Sequence, residues 1–146
     1  MSRMIFVNLP VADLPRSKAF YEAVGFTVNP QFTDDTAACM VLSDEIHVML
    51  LTHDKFKMFT PKEVADAQRT SEVLLCISCD SREAVDEITE AALAQGSREV
   101  GPKDEHSFMY GRNFEDPDGH IWAPMWLDMS ALGGRNAAEV AAEACA

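Results

Sequence analysis

Positive charge is scarce in this chain: its 146 residues hold 12 Lys and Arg against 24 Asp and Glu, a formal net charge of −12. Non-specific binding to nucleic acid or to an anionic bilayer needs a basic face, so this balance excludes both. Long apolar runs are missing too; none approaches the roughly 20 residues of a membrane-spanning helix. The start, Met1-Ser2-Arg3-Met4-Ile5, turns into a strand-like pattern with no cleavable apolar segment behind a basic one, so a cytoplasmic location is the default expectation. Cysteine is limited to four residues. Cys76-Ile77-Ser78-Cys79 has the spacing of a redox or zinc motif, but it lies in the strand-like run from Val73, where positions three apart point to opposite faces. No second cysteine or histidine pair completes a zinc set. There is no Gly-rich phosphate loop before a helix, no G-x-S-x-G elbow and no H-E-x-x-H.

What is present is the composition of one soluble domain, 47% apolar and 25% charged, long enough to bury a core. The pattern runs twice through the same order. Met4 to Leu9 reads as a strand; Asp13 can cap a helix through Val24, with Pro15 tolerated in its first turn and Gly25 after its end. Shorter strands follow over 26–28, 37–42 and 46–51, the last two joined at Asp44-Glu45. Val73 to Cys79 opens the second round, Asp80 or Ser81 caps a helix through Ala94, and Val85, Ile88 and Ala92 share one helical face. Strands are then expected over 97–100, 107–114 and 120–127, with Asp116-Pro117-Asp118-Gly119 as a type I turn. The organisation is thus a single domain over 1–129: a βαβββ module at 3–52, a linker at 53–70 with a short helix over 61–68, and a second module at 71–128. A tail of helical composition covers 130–146.

Two βαβββ modules with an Asp-Pro-Asp-Gly turn before the last strand resemble the vicinal oxygen chelate superfamily, which includes glyoxalase I, extradiol dioxygenases, fosfomycin-resistance enzymes and bleomycin-resistance proteins. The matching phrases are Val7 through Phe26 and Asn113 through Trp126, and the resemblance covers about residues 3 to 128. It implies an α+β fold in which curled mixed sheets form a cavity, commonly within a homodimer. Metal-dependent members carry His, Gln or Glu on the first and last strands of each module. Alignment on the Val-Ala-Asp-Leu and Asp-Pro-Asp-Gly landmarks puts those positions at Phe6, Met49, Leu74 and Ala123. Three are hydrocarbon, and a thioether suits only soft metals. A two-residue slip would offer His47 or Asn8 on the same face, with nothing from the other strands. No cofactor is therefore expected, although the resemblance implies a divalent ion in catalytic relatives.

Strand parity extends this lining. With Phe6 face Met4 and Asn8; with Met49, His47 and Leu51; with Leu74, Glu72 and Cys76; with Ala123, Ile121 and Met125. If the Asp116–Gly119 turn closes a two-residue hairpin, Arg112 lies opposite Ala123 and Tyr110 opposite Met125, on that same face. The expected ligand site is then Phe6, Asn8, His47, Met49, Leu74, Tyr110, Arg112, Ile121, Ala123 and Met125. Arg112 would grip an anionic group, or else sit in an internal ion pair with Glu72 or Glu115. His47, Glu72 and Tyr110 are the candidate acid–base groups, each also readable as structural. His120 shares parity with Trp122 and Trp126 and should face away; the tryptophans should pack under a helix or at a subunit interface. Three readings follow. The first is a metal-free binding protein for a small, partly apolar molecule, with or without an anionic group. The second is an enzyme of the same superfamily (lyase, isomerase or dioxygenase) with an atypical metal set or metal-free acid–base chemistry. The third is a scaffold whose cavity is filled by side chains.

Overall fold

The computed structural model describes residues 2–132; the tail of helical composition over 130–146 lies outside them from residue 133 on. The fold is α+β with two mixed sheets. The first sheet has the order β1-β4-β3-β2 (Ile5–Val11, Ile46–Thr52, Ala37–Val41, Thr27–Asn29), with β1 and β4 parallel. The second has the order β5-β9-β7-β6 (Leu74–Ser78, Ile121–Leu127, Met109–Gly111, Asp104–His106), with β5 and β9 parallel and β8 (Phe114–Glu115) also paired to β9. The twofold repeat therefore extends to pairing: in each half the first and last strands lie side by side.

Local chemistry sets the helices. Asp13 accepts from the Arg16 N–H and caps α1 (Leu14–Ala23), while Gly25 leaves it with positive φ. Ser81, rather than Asp80, caps α3 (Arg82–Ala94), and Val85 and Ala92 are buried on its inner face. The linker departs from expectation. Its helix is α2 (His53–Lys57), capped by Thr52; residues 61–68 form no helix, and the Thr60 and Asp66 side chains accept from the Lys62 and Gln68 N–H groups in competition with helical hydrogen bonding. The strand expected over 97–100 contributes only an isolated bridge from Glu99 to Phe114, and its place at the sheet edge is taken by β6. The run 107–114 is interrupted at Arg112 and Asn113.

One core serves both halves. The helix-facing residues Leu9, Val11, Val48, Leu50, Ala38 and Met40 pack with Phe20, Tyr21 and Phe26, and with Ile77, Ala92, Phe114 and Trp122 from the second half. Trp122 meets Tyr21 and Phe26 edge-on, with ring centroids 6.0 and 5.5 Å apart, so this tryptophan joins the modules. Trp126 lies at the side of the second sheet under the Arg82 guanidinium.

Candidate pocket at the seam of the two sheets

Strand parity holds for most of the expected lining. Phe6, Asn8, His47 and Met49 project from the face of the first sheet opposite Val48 and Leu50. Leu74, Cys76, Ile121, Ala123 and Met125 project from the corresponding face of the second, opposite Ile77 and Trp122. These faces do not close on one another within the chain. Phe6 is 47% and Leu74 65% exposed, so the hollow expected around Phe6, Met49, Leu74 and Ala123 is a pair of open faces. His47 stacks on Phe6 at 4.6 Å, and its Nε2 lies 3.1 Å from the Asp44 carbonyl. Its Nδ1 is buried with no hydrogen-bond partner, so the satisfied structural histidine expected there is only half satisfied.

The donor set argues against a divalent ion at the four family positions: a phenyl, an isobutyl, a methyl and a thioether cannot ligate a hard or borderline cation. Among the described residues, no group of three or more His, Cys, Asp or Glu side chains could hold one either.

Tyr110 and Arg112 lie on the other side of the sheet from their expected place. The closing pair of the hairpin is Asp116 with His120, and Gly111 is opposite Met125, so the loop spans three residues, Pro117 to Gly119. The Gly119 N–H still reaches the Asp116 carbonyl as in a type I turn, and Gly119 then takes a positive φ, as three-residue hairpins require. That one residue moves Tyr110 opposite Trp126 and Arg112 against Pro124, which turns both side chains toward α3. Arg112 is 3% exposed. It bonds Glu99 through two nitrogens, at 2.8 and 2.9 Å, and pairs with Asp86 at 3.0 Å and Glu90 at 2.8 Å. The Tyr110 hydroxyl donates to Asp86 at 2.6 Å. Those bonds, the Tyr110 one first, hold the Asp86 carboxyl below its ordinary range, and Arg112 does the same to Glu99. Burial, then Asp86, pushes the Tyr110 hydroxyl up to about 12. The ion pair expected with Glu72 or Glu115 is made with these other carboxylates, and Arg112 is an internal tie rather than a ligand grip.

A half-open recess lies where the two halves meet. A cavity of about 470 Å³ is walled by Val7, Leu9 and Pro10 of β1, by Leu75 of β5 and by Ile121, and it is roofed by the segment from Phe56 to Val73. Its polar points are Asn8, Lys62, Glu63, Glu72 and His120, with the hydroxyl residues Thr60, Thr70 and Ser71 of the roof. Asn8, Glu72 and Ile121 are thus the expected residues that this space gathers; Phe6, His47, Met49, Leu74, Tyr110, Arg112, Ala123 and Met125 are not among its walls. His120 was expected to face away, but it precedes β9, where parity no longer applies, and it lines the cavity. Its Nε2 lies 2.8 Å from the Pro10 carbonyl; because a carbonyl only accepts, the proton resides on Nε2.

The Asp116–Gly119 turn builds this seam. Asp118 accepts from the Ala12 N–H at 2.8 Å and the Ser17 hydroxyl at 3.2 Å. Asp116 is buried and accepts from the backbone of Asp118 and His120 and from the Tyr21 hydroxyl at 2.7 Å; Tyr21 in turn accepts from the Trp122 indole at 2.9 Å. Burial pushes the Asp116 carboxyl up, and burial with Asp116 nearby keeps the Tyr21 hydroxyl protonated. The roof rests on the same turn: Gln68 donates to the Pro117 carbonyl at 3.0 Å, and a Cβ on Gly119 would lie 2.6 Å from the Ala67 carbonyl oxygen. The linker residues had no periodic signal that could mark them as cavity walls. The glycine in the turn was the one available hint of a close backbone approach.

Residues 3–43 match a family described as bleomycin resistance protein-like N-terminal. Solved structures agree over most of the chain. Hypothetical protein SA1046 from S. aureus is 26% identical and has a TM-score of 0.71, covering 86% of this chain and 95% of that one. A glyoxylase/bleomycin resistance protein/dioxygenase domain from Frankia sp. EAN1pec is 25% identical with a TM-score of 0.65, over 87% and 93%. A glyoxalase/bleomycin resistance protein/dioxygenase family enzyme from Burkholderia phytofirmans PsJN is 19% identical with a TM-score of 0.70, over 86% and 99%. No curated protein matches the chain in sequence.

Proposed function

We propose that this chain, a member of the vicinal oxygen chelate (glyoxalase/bleomycin-resistance/dioxygenase) superfamily, binds a small, partly apolar molecule without a catalytic divalent ion. The carrying observation is the seam cavity. At about 470 Å³ it falls in the size range of small-molecule sites, and its lining mixes a larger apolar surface with polar and charged residues. Loss of donors at Phe6, Leu74 and Ala123 supports the absence of a divalent ion on grounds of ligand chemistry. With Arg112 consumed internally, Lys62 is the cation at the cavity wall, so an anionic end on the ligand is no longer a requirement. The acid–base alternative loses Tyr110, tied to Asp86, and His47, stacked on Phe6. It retains Glu72, which shares the cavity with His120.

A second copy of the chain is the partner that the open apolar faces favour, and a homodimer remains part of this reading.

The test is native mass spectrometry of the purified chain with an unbiased survey of co-purifying compounds, repeated on Gly119→Ala. A Cβ at Gly119 meets the backbone of Ala67 and Gln68 and must lift the roof. The expected result is a stoichiometric small molecule whose affinity survives chelator treatment and falls roughly tenfold or more in Gly119→Ala. A ligand bound equally well by Gly119→Ala, or lost on EDTA treatment together with a divalent ion, would refute the proposal.

A further inference from the structure

Two sulfur atoms meet on the open face of the second sheet. Cys76 of β5 and Met125 of β9 bring Sγ and Sδ to 3.0 Å. Register sets this contact: Cys76 is opposite Ala123 and Ser78 opposite Met125, so all four project from the face turned away from α3. The neighbours are small. Ala123 has only a methyl, and on the far side of Met125 stands Gly111, with no side chain to cover the thioether. Cys76 is exposed in the single chain, on the same face as Leu74. Backbone pairing continues past β5, where the Cys79 N–H donates to the Met125 carbonyl at 2.7 Å. Burial pushes the Cys79 thiol up, with smaller contributions from Asp80 and Cys76.

From this geometry we propose that Cys76 and Met125 form a binding site for a soft monovalent cation, of which Cu(I) is the biological representative. Thiolate and thioether are soft donors; they select Cu(I) over the oxygen-seeking divalent ions that the rest of this face cannot ligate. Rotation about the flexible Met125 side chain spreads the sulfurs to suit metal–sulfur bonds of about 2.3 Å. Binding exchanges a proton for the ion, Cys–SH plus Cu(I) giving Cys–S–Cu(I) plus H⁺, with no change in oxidation state, so affinity rises with pH. The site is separate from the seam cavity, whose walls include neither sulfur.

The experiment is anaerobic titration of the full chain with Cu(I) against a chromogenic Cu(I) chelator, with X-ray absorption on selenomethionine-substituted protein. One tightly held ion per chain is expected, together with a copper–selenium neighbour. Cys76→Ser should abolish binding. Met125→Leu, which conserves volume, should weaken it roughly tenfold and remove the selenium neighbour. Cys145→Ser should retain it. A copper spectrum without selenium, Met125→Leu affinity equal to that of the unaltered chain, or equal retention of Zn(II) would each overturn the proposal. The selenium signal needs no substitution at the site, so a poorly folding variant cannot mask the outcome.

Discussion

Arg112 brings a guanidinium into nearly complete burial, and three carboxylates from α3 and the segment after it gather around it: Asp86, Glu90 and Glu99. The carboxylates are partly exposed, so removing the cation lets them rehydrate, and the loss is milder than for a wholly buried pair. Arg112→Met should therefore cost about 1–3 kcal/mol in urea unfolding at neutral pH while leaving small-molecule affinity unchanged. The pH dependence has a definite sign. Asp86 and Glu99 have carboxyl pKa values lowered by folding. Their contribution is fully present above the unfolded range near about 4 and is lost as pH falls through their lower folded values. The stability gap between the unaltered chain and Arg112→Met should stay level from neutral pH down to about pH 4 and narrow below it. A gap that widens in acid would show that these carboxylates do not carry the effect. Residues of this kind are the least legible from sequence: Arg112 was read inside a strand that breaks at it, and a loop one residue longer than assumed reversed its face. Caps were more legible, because Asp13 and Ser81 act on their own nearest backbone.

At the scale of elements, β9 matters most. It borders both β5 and β7, it carries Trp122 into the shared core, and the turn before it binds the β1–α1 corner through Asp118 and Tyr21 through Asp116. Tyr21 is the joint of this arrangement, accepting from Trp122 and donating to Asp116. Tyr21→Phe keeps the ring but leaves a buried indole N–H and a buried carboxyl oxygen each short of a partner. Loss of about 2–4 kcal/mol is expected in chemical denaturation, with a red-shifted tryptophan emission if the indole gains water. A change below about 0.5 kcal/mol would show that the joint does not hold the halves together. Elements with a period or a cap could be read ahead of the structure: α1, α3, β1, β4, β5 and β9 were. Those held only by partners could not. β6, Asp-Glu-His with no apolar alternation, exists because β7 pairs with it, and the helix after β4 starts at His53 because Thr52 caps it there, ahead of the stretch whose composition suggested helix.

For the whole molecule, the repeated order of helix and strands was legible because hydrophobic alternation and turn residues recur on the same plan in both halves, and the two mixed sheets followed only from the family resemblance which that order carries. The seam cavity was not, because its roof is an aperiodic linker and its walls belong to elements remote in sequence. The same limit applies to what covers the open faces. Met4, Ile5 and Phe6 at the start of the first sheet, with Val73 and Leu74 at the start of the second, leave large apolar side chains exposed. Faces of that kind favour a second copy, and a stable interface needs about 800 Å² from each partner. Each copy also brings a formal charge of −12, which opposes association at long range and is screened by salt. Sedimentation should therefore find a dimer whose dissociation constant falls as ionic strength rises from low values toward physiological salt. Replacing both Phe6 and Leu74 by Asp should give a monomer with an unchanged far-ultraviolet spectrum, since neither side chain belongs to the buried core. A chain that stays monomeric at every salt concentration, or a double variant that dimerises as before, would mean that these faces are open in solution too. The apolar exposure would then need a different occupant.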